Sequence, residues 1–268
     1  MTGKTAKLAT RAFLGSTPVA VGLYAVVMGA ILYAAVSGAE AMGYNWQWYR
    51  IPRYFYSLTD EGFQLGEIVY GLGATLVLSA AAFLLALVFG LILALLRLSD
   101  LVVGPAVARI ILEFVRNMPL LVLLYVFYYV LGPIFGLDRY VASILCLALF
   151  HGCLISEIIR AGILSVDDGQ WEAASSLGLR RSQSYRLVVL PQAVPLMLPP
   201  LTGEAVSLIK SSAIVSVIAV AELTTIGRNI ISDTYMSFEI WFTIAAVYLV
   251  VTLCLSIFVS YLERRVAV

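Results

Sequence analysis

The chain predicts an all-α integral membrane protein with six transmembrane helices. Three observations carry that prediction. Apolar residues make up 62% of the 268 positions. Charged residues make up only 12%, about half the share of a soluble domain. Apolar runs long enough to cross a bilayer recur along the chain, separated by short polar stretches.

Taken in order, residues 1–12 carry Lys4, Lys7 and Arg11 and no acid. Thr17 to Ser37 is the first apolar run, read as a retained helix rather than a cleaved leader. Residues 39–67 form the longest polar stretch, crowded with Trp46, Trp48, Tyr49, Tyr54, Phe55 and Tyr56. Aromatic rings favour the headgroup level, so this stretch is expected to be an interfacial loop or short surface helix. Glu67 to Arg97 reads as the second span, followed by a turn around Asp100–Pro105. The third is expected from Val107 to Leu131 and the fourth from Tyr140 to Leu164. The fifth runs from Pro195 to about Val220, and the last from Phe238 to Leu262. Residues 221–237 are polar.

Basic residues orient these spans. With the N-terminus inside, the inner side holds Lys4, Lys7, Arg11, Arg97, Arg109, Arg180, Arg181, Arg186, Arg264 and Arg265. The outer side holds only Arg50, Arg53, Arg139 and Arg228. The net charge of +1 gives nucleic-acid binding no electrostatic basis. Cys146, Cys153 and Cys254 lie in apolar runs and read as buried packing residues, with no metal site. His151, the single histidine, reads as an interhelical hydrogen-bonding group.

Between the fourth and fifth spans lies a polar island, Glu172 to Pro191 (EAASSLGLRRSQSYRLVVLP). Ala173 and Ala174 favour helix, Gly178 supplies a left-handed turn, and Pro191 is expected to end a second short helix. Other ionisable groups fall inside spans, where they are costly and face partners or a polar pathway. Arg116 and Glu204 are expected near mid-membrane, and Glu157, Arg160 and Lys210 nearer span ends. Glu113 and Arg116 are three residues apart, as are Glu157 and Arg160. Each pair shares a helix face and either neutralises itself or lines a cavity. An arginine fork suits a carboxylate and a glutamate suits an ammonium, so mixed signs at depth fit a zwitterion.

The island resembles the EAA loop of the membrane subunits of bacterial ABC importers, with Val188 where the family has isoleucine. EFVRNMPLL resembles the FR-x-x-P segment of the polar amino acid subfamily. SEIIRAGI resembles its E-x-x-R-x-G-I segment, DDGQWEAASSLGL its GQ-x-EA loop entry, and LPPLTGEAVSLIKSSAIVS its LP…E…LLKDTSL segment. The resemblance implies a five-helix type I importer core over residues 67–265, with a coupling loop at about 165–192. An extra N-terminal span and aromatic extracytoplasmic loop occupy 1–66.

The resemblance also implies roles. Gly169, Gln170, Glu172, Ala173, Ala174, Gly178, Leu190 and Pro191 would couple to an ATPase, with Glu172 at a helix N-terminus or against a basic residue of the partner. Arg116, Asn117, Glu157, Arg160, Glu204, Lys210 and Ser211 are candidates for the substrate pathway. The chain itself is expected to be no enzyme and to hold no cofactor; ATP and Mg would bind two separate ATPase subunits. A second permease subunit, identical or paralogous, and an extracytoplasmic binding protein complete the expected assembly in the bacterial cytoplasmic membrane, with both termini inside. The implied substrates are polar amino acids, acidic or amide types favoured. An ion-coupled secondary amino acid transporter is the alternative; it lacks an explanation for the polar island.

Overall fold

The computed structural model describes residues 17–59 and 62–266. The chain divides into two compact units, one ending at Gln47 and one beginning at Trp48. The aromatic residues from Trp48 onward therefore belong with the main body. The basic residues Lys4, Lys7 and Arg11 lie outside the described residues, as do the side chains of Glu263, Arg264 and Arg265.

In the first unit, α1 (Thr17–Ala41) is a 25-residue helix, about 37 Å long and sufficient for a bilayer core of about 30 Å. The second unit opens with a 3-10 turn, Trp48–Tyr54. A two-stranded antiparallel hairpin follows, β1 (Tyr56–Thr59) and β2 (Gly62–Leu65), with Tyr56 opposite Leu65 and Leu58 opposite Phe63. The helices that follow are α2 (Glu67–Arg97), α3 (Val103–Arg116), α4 (Leu120–Phe135), α5 (Arg139–Leu164), α6 (Asp168–Ser176), α7 (Arg181–Ile218), α8 (Leu223–Thr234) and α9 (Ser237–Val266).

Among the described residues, α1, α2, α5, α7 and α9 are each long and apolar enough to cross a membrane. The expected third span is not one straight helix. It is the pair α3 and α4, bent by 105° at Asn117–Pro119. Pro119 has no N–H to donate and pushes Met118 away from helical backbone. Asn117 fills the gap: its Nδ2 donates to Glu113 O at 2.7 Å and to Glu113 Oε2 at 3.1 Å.

Pro191 departs from expectation too. It does not end a helix; α7 runs through it, and through Pro195, Pro199 and Pro200. The turn Tyr185–Val189 is π-helical, and such a widened turn accommodates a missing donor and a bulky ring. The polar stretch 221–237 folds mostly as α8.

α2 and α5 form the most extensive helix pair. They meet so closely that a Cβ on Gly90 would lie 2.5 Å from Ile155 Cγ2 and 3.0 Å from Gly152 O. Small residues permit this approach where lipid offers no competing hydrophobic drive. Below, the end of the bundle near α6 is called the loop end, and the other the far end. At the far end, Tyr54, Ile68, Leu223, Ile230, Met236 and Ile240 form one buried cluster. It seats the 3-10 turn against α2, α8 and α9.

Glu222 is wholly buried there. It caps α8 by accepting from Thr224 N at 2.8 Å and Thr225 N at 2.7 Å, and it also accepts from Tyr248 OH at 2.9 Å. α7 ends in a 3-10 turn, Ala213–Ile218. Arg139 donates to Ala219 O at 2.9 Å and Arg228 to Ser216 O at 3.1 Å, so both basic residues clamp that turn. Cys146 and Cys153 are buried as expected, but Cys254, on α9, is exposed.

Candidate functional site

The polar island folds as a helix–turn–helix at the loop end. Asp167 caps α6, its Oδ1 accepting from Gly169 N at 2.8 Å. Glu172, expected at a helix N-terminus or against a basic residue of the partner, lies within α6 rather than at its start and is exposed. Aspartate caps well because its short side chain reaches the first free N–H groups. Ala173 is exposed, whereas Ala174 is buried against the bundle. Gly178 stands at φ +72°, where a Cβ is strained, and the chain reverses there into α7. Gln170 and Gln192 join the two arms through a side-chain hydrogen bond of 3.3 Å. Leu190 and Pro191 lie exposed on α7, past the π turn.

Beneath the loop, the rings of Trp171 and Tyr185 meet edge to face at 5.0 Å. They and Leu98, Ile163 and Leu179 line a cavity of about 490 Å³ between the loop and the ends of α2 and α5. Arg181 reaches across to Asp100 as an ion pair, and donates to Leu98 O at 3.2 Å.

Besides the Glu222 network, two polar groups bridge helices of the bundle. The first centres on Glu157. Arg97 Nη1 donates to its Oε1 at 2.5 Å, and Arg116 Nη1 approaches the same oxygen at 3.4 Å. Arg160 offers Nε at 3.2 Å and Nη2 at 3.1 Å to Oε2. Three guanidinium groups around one carboxylate leave a net positive cluster. Glu157 is seven residues from the end of α5, so the cluster sits about 10 Å from the loop end. Arg116 meets Glu157 there from the end of α3, where the chain bends by 105°. Arg116 does not pair with Glu113, which is engaged by Asn117; Glu157 and Arg160 do pair.

The second group is His151 and Glu204, joined Nδ1 to Oε1 at 2.5 Å between α5 and α7. His151 is midway along α5, about 20 Å from its loop end. Its Nε2 is buried and has no hydrogen-bond partner among the described residues. Lys210 is exposed and lines a separate cavity with Thr202 of α7 and Ser256 and Ser260 of α9. Ser211 is half-buried beside it.

The structure therefore gathers Arg116, Glu157 and Arg160, sets Asn117 beside them, and leaves Glu204, Lys210 and Ser211 elsewhere. Sequence reasoning missed Arg97, Asp100, Arg181 and Glu222. Arg97 was visible only as a basic residue closing a span. Glu222 offered a cap signal, an acidic residue ahead of Leu223-Thr224-Thr225.

Apolar helices long enough to cross a bilayer, bridged by ion pairs and joined by a polar helix–turn–helix at one end, define a multi-pass membrane protein. The family described as "Binding-protein-dependent transport system inner membrane component" matches residues 86–268, and the chain belongs to it. It is an ABC importer permease, a multi-pass membrane protein. The probable glutamine ABC transporter permease protein GlnM of Bacillus subtilis (strain 168) is 38% identical over 71% of this chain and 89% of its own length. The glutamine transport system permease protein GlnP of Escherichia coli (strain K12) is 34% identical over 75% of this chain and 93% of its own. A crystal structure of an amino acid ABC transporter with histidines superposes with TM-score 0.70 at 40% identity, covering 74% of this chain and 94% of that one. The inward-facing MetNI methionine ABC transporter has TM-score 0.67 at 20% identity, covering 75% and 96%; it shares the fold.

Proposed function

We propose that the chain is the permease of an ATP-driven importer of polar amino acids, amide and acidic ones favoured, in the bacterial cytoplasmic membrane. The observation that carries this reading is the stacking of the loop, the Glu157 cluster and the Glu204 pair along one bundle. Charges of both signs occur at depth, above a surface shaped for docking. Relatives named as glutamine permeases support the substrate class.

In this reading the loop end faces the cytoplasm, as do both termini. Two ATPase subunits, which bind ATP and Mg, dock on α6 and the turn at Gly178. A second permease subunit completes the pathway, and a binding protein delivers substrate at the far end. ATP-driven closure of the ATPase pair moves the docked loops and rocks the spans between outward and inward states. Glu204 receives the substrate ammonium at mid-depth. The excess guanidinium groups around Glu157 receive its carboxylate nearer the exit, through planar two-point hydrogen bonds. Asn117 holds the bend that presents Arg116, while Lys210 lines a separate cavity between α7 and α9, with Ser211 next to it in the chain.

The test is the assembly reconstituted with its ATPase and binding protein. Glutamine or glutamate should stimulate ATP hydrolysis several-fold, and uptake should need ATP when ion gradients are absent. Uptake driven by a sodium or proton gradient without ATP would replace this reading with a secondary transporter. Arg116→Ala and Glu204→Gln should each cut uptake about tenfold or more, the scale of one lost charged contact.

A further inference from the structure

Four consecutive residues join the loop to the Glu157 cluster. Arg97 ends α2 and donates to Glu157 Oε1 at 2.5 Å. The carbonyl of the next residue, Leu98, accepts from Arg181 Nη2 at 3.2 Å. The Leu98 side chain packs in the apolar cluster that includes Trp171 and Tyr185. Asp100 pairs with the Nη1 arm of the same guanidinium. Between them, Ser99 closes the turn with its Oγ donating to Leu96 O at 2.8 Å, so these residues form a held turn rather than a slack linker. On the loop side, Arg181 is also held. It opens α7, where Arg180 N donates to Gln183 Oε1 at 2.9 Å.

We propose that Arg181 is the positioning residue that links the ATPase-facing loop to the substrate pathway. By gripping Leu98 and Asp100, it sets where Arg97 stands. It thereby sets whether Glu157 keeps Arg97 or gives it up to a substrate carboxylate. This inference rests on the reading of the loop as the ATPase docking surface. A planar guanidinium bound to two acceptors on one turn fixes direction as well as distance, which a single-point lysine contact cannot do. The pair is exposed, with side chains 55% and 78% accessible, and such pairs add little to stability. Its contribution is geometric. With the grip intact, displacement of the loop carries the end of α2 and Arg97 with it. With the grip removed, the loop slides over that end and the Glu157 cluster stays as it is. The link is a contiguous chain of contacts, Arg181 to Leu98 and Asp100, then Arg97 to Glu157, of the kind that carries coupling between sites.

The experiment measures amino acid taken up per ATP hydrolysed by the complete transporter in vesicles. Radiolabelled L-glutamine, L-glutamate and L-arginine are supplied together. Asp100→Arg and Arg181→Asp should each lower this ratio at least fivefold, and the variant carrying both changes should recover part of it, because the ion pair re-forms while the Leu98 carbonyl stays without its donor. A merely stabilising surface pair would change the amount of assembled protein and leave the ratio alone. Asp100→Asn, which reverses no charge, should lower the ratio as well and serves if the reversals fail to assemble. Adding Asp100→Asn to Arg97→Gln should cause no further loss, because both act through Arg97. An unchanged ratio in Asp100→Asn, or single losses that the exchange does not recover, overturns the proposal while the docking reading stands. No ATP-dependent uptake by the unmodified transporter would remove both.

Discussion

Single buried carboxylates do different work in this chain according to their partners. Glu157 is shared by three arginines and remains partly exposed, whereas Glu222 is sealed among two backbone N–H groups and a tyrosine hydroxyl. Glu222→Ala should strip the cap from α8 and leave the Tyr248 hydroxyl only its longer contact to Thr224 Oγ1 at 3.2 Å. The expected cost is roughly 2–4 kcal/mol, read as a lower melting temperature in detergent. Glu222→Gln keeps one acceptor oxygen and should lose less. An Ala variant that melts with the parent protein would show that the cap is dispensable. Leu223 N also donates to Thr75 Oγ1 at 3.0 Å, so α8 is tied to α2 as well as to α9. His151 illustrates what sequence reading can reach at this scale. A lone histidine in an apolar span already implied a partner on another helix, but only the fold names that partner as Glu204.

At the scale of elements, two glycines decide how helices meet and turn. Gly90 lets α2 lie against α5 at Gly152 and Ile155. Gly90→Val should force the pair apart and cost about 1–3 kcal/mol by overpacking, seen as lower yield of folded protein and an earlier thermal transition. Unaltered yield and melting would mean that the two helices have room to spare. Gly178 at φ +72° turns the loop. Nothing lies within 4 Å of a Cβ built there, so the penalty of Gly178→Val is backbone strain, about 1–2 kcal/mol, rather than a clash. Because the turn is exposed, membrane insertion should survive while stimulation of the ATPase is lost. Co-purification with the ATPase and its activity measure the two effects separately. The bent pair α3–α4 and the unbroken α7 are the elements that local signals misjudged. Pro119 breaks a helix and Pro191 does not. The difference lies in what surrounds them: Asn117 stabilises an open bend, whereas a π turn absorbs Pro191 and packing of Val189, Ala193 and Met197 in one buried cluster keeps the helix running.

The unit that begins at Trp48 is a helical bundle with differently built ends. The far end is tied together by Glu222, Arg139 and Arg228. The loop end presents α6, the turn at Gly178 and the start of α7. Orientation is the expectation with the widest consequence, and it can be tested directly. A cysteine at the exposed position Ser182 should react with a membrane-impermeant maleimide in inside-out vesicles and not in right-side-out cells. Cys146 and Cys153 are buried, and the exposed Cys254 is replaced by alanine beforehand to keep background labelling low. Reaction only from outside the cell would place the loop where no ATPase can reach it. It would also leave the excess of basic residues on the expected inner side without meaning.

The sequence by itself determined the class of protein. A chain with so few charges cannot fold in water around a core of ordinary size, and its apolar runs must lie in lipid as helices that satisfy their own backbones. It also determined the reversal at Gly178, since an Ala-rich helix start followed by glycine has few other conformations available. Only tertiary structure decided which charges meet. Glu157 and Arg160 share a helix face and were readable as a pair. Arg97 and Arg116 reach the same carboxylate from other helices, across 60 and 41 residues of chain. No local pattern encodes that distance; it follows from the close approach of α2 to α5 and from a bend whose angle depends on the neighbours it packs against.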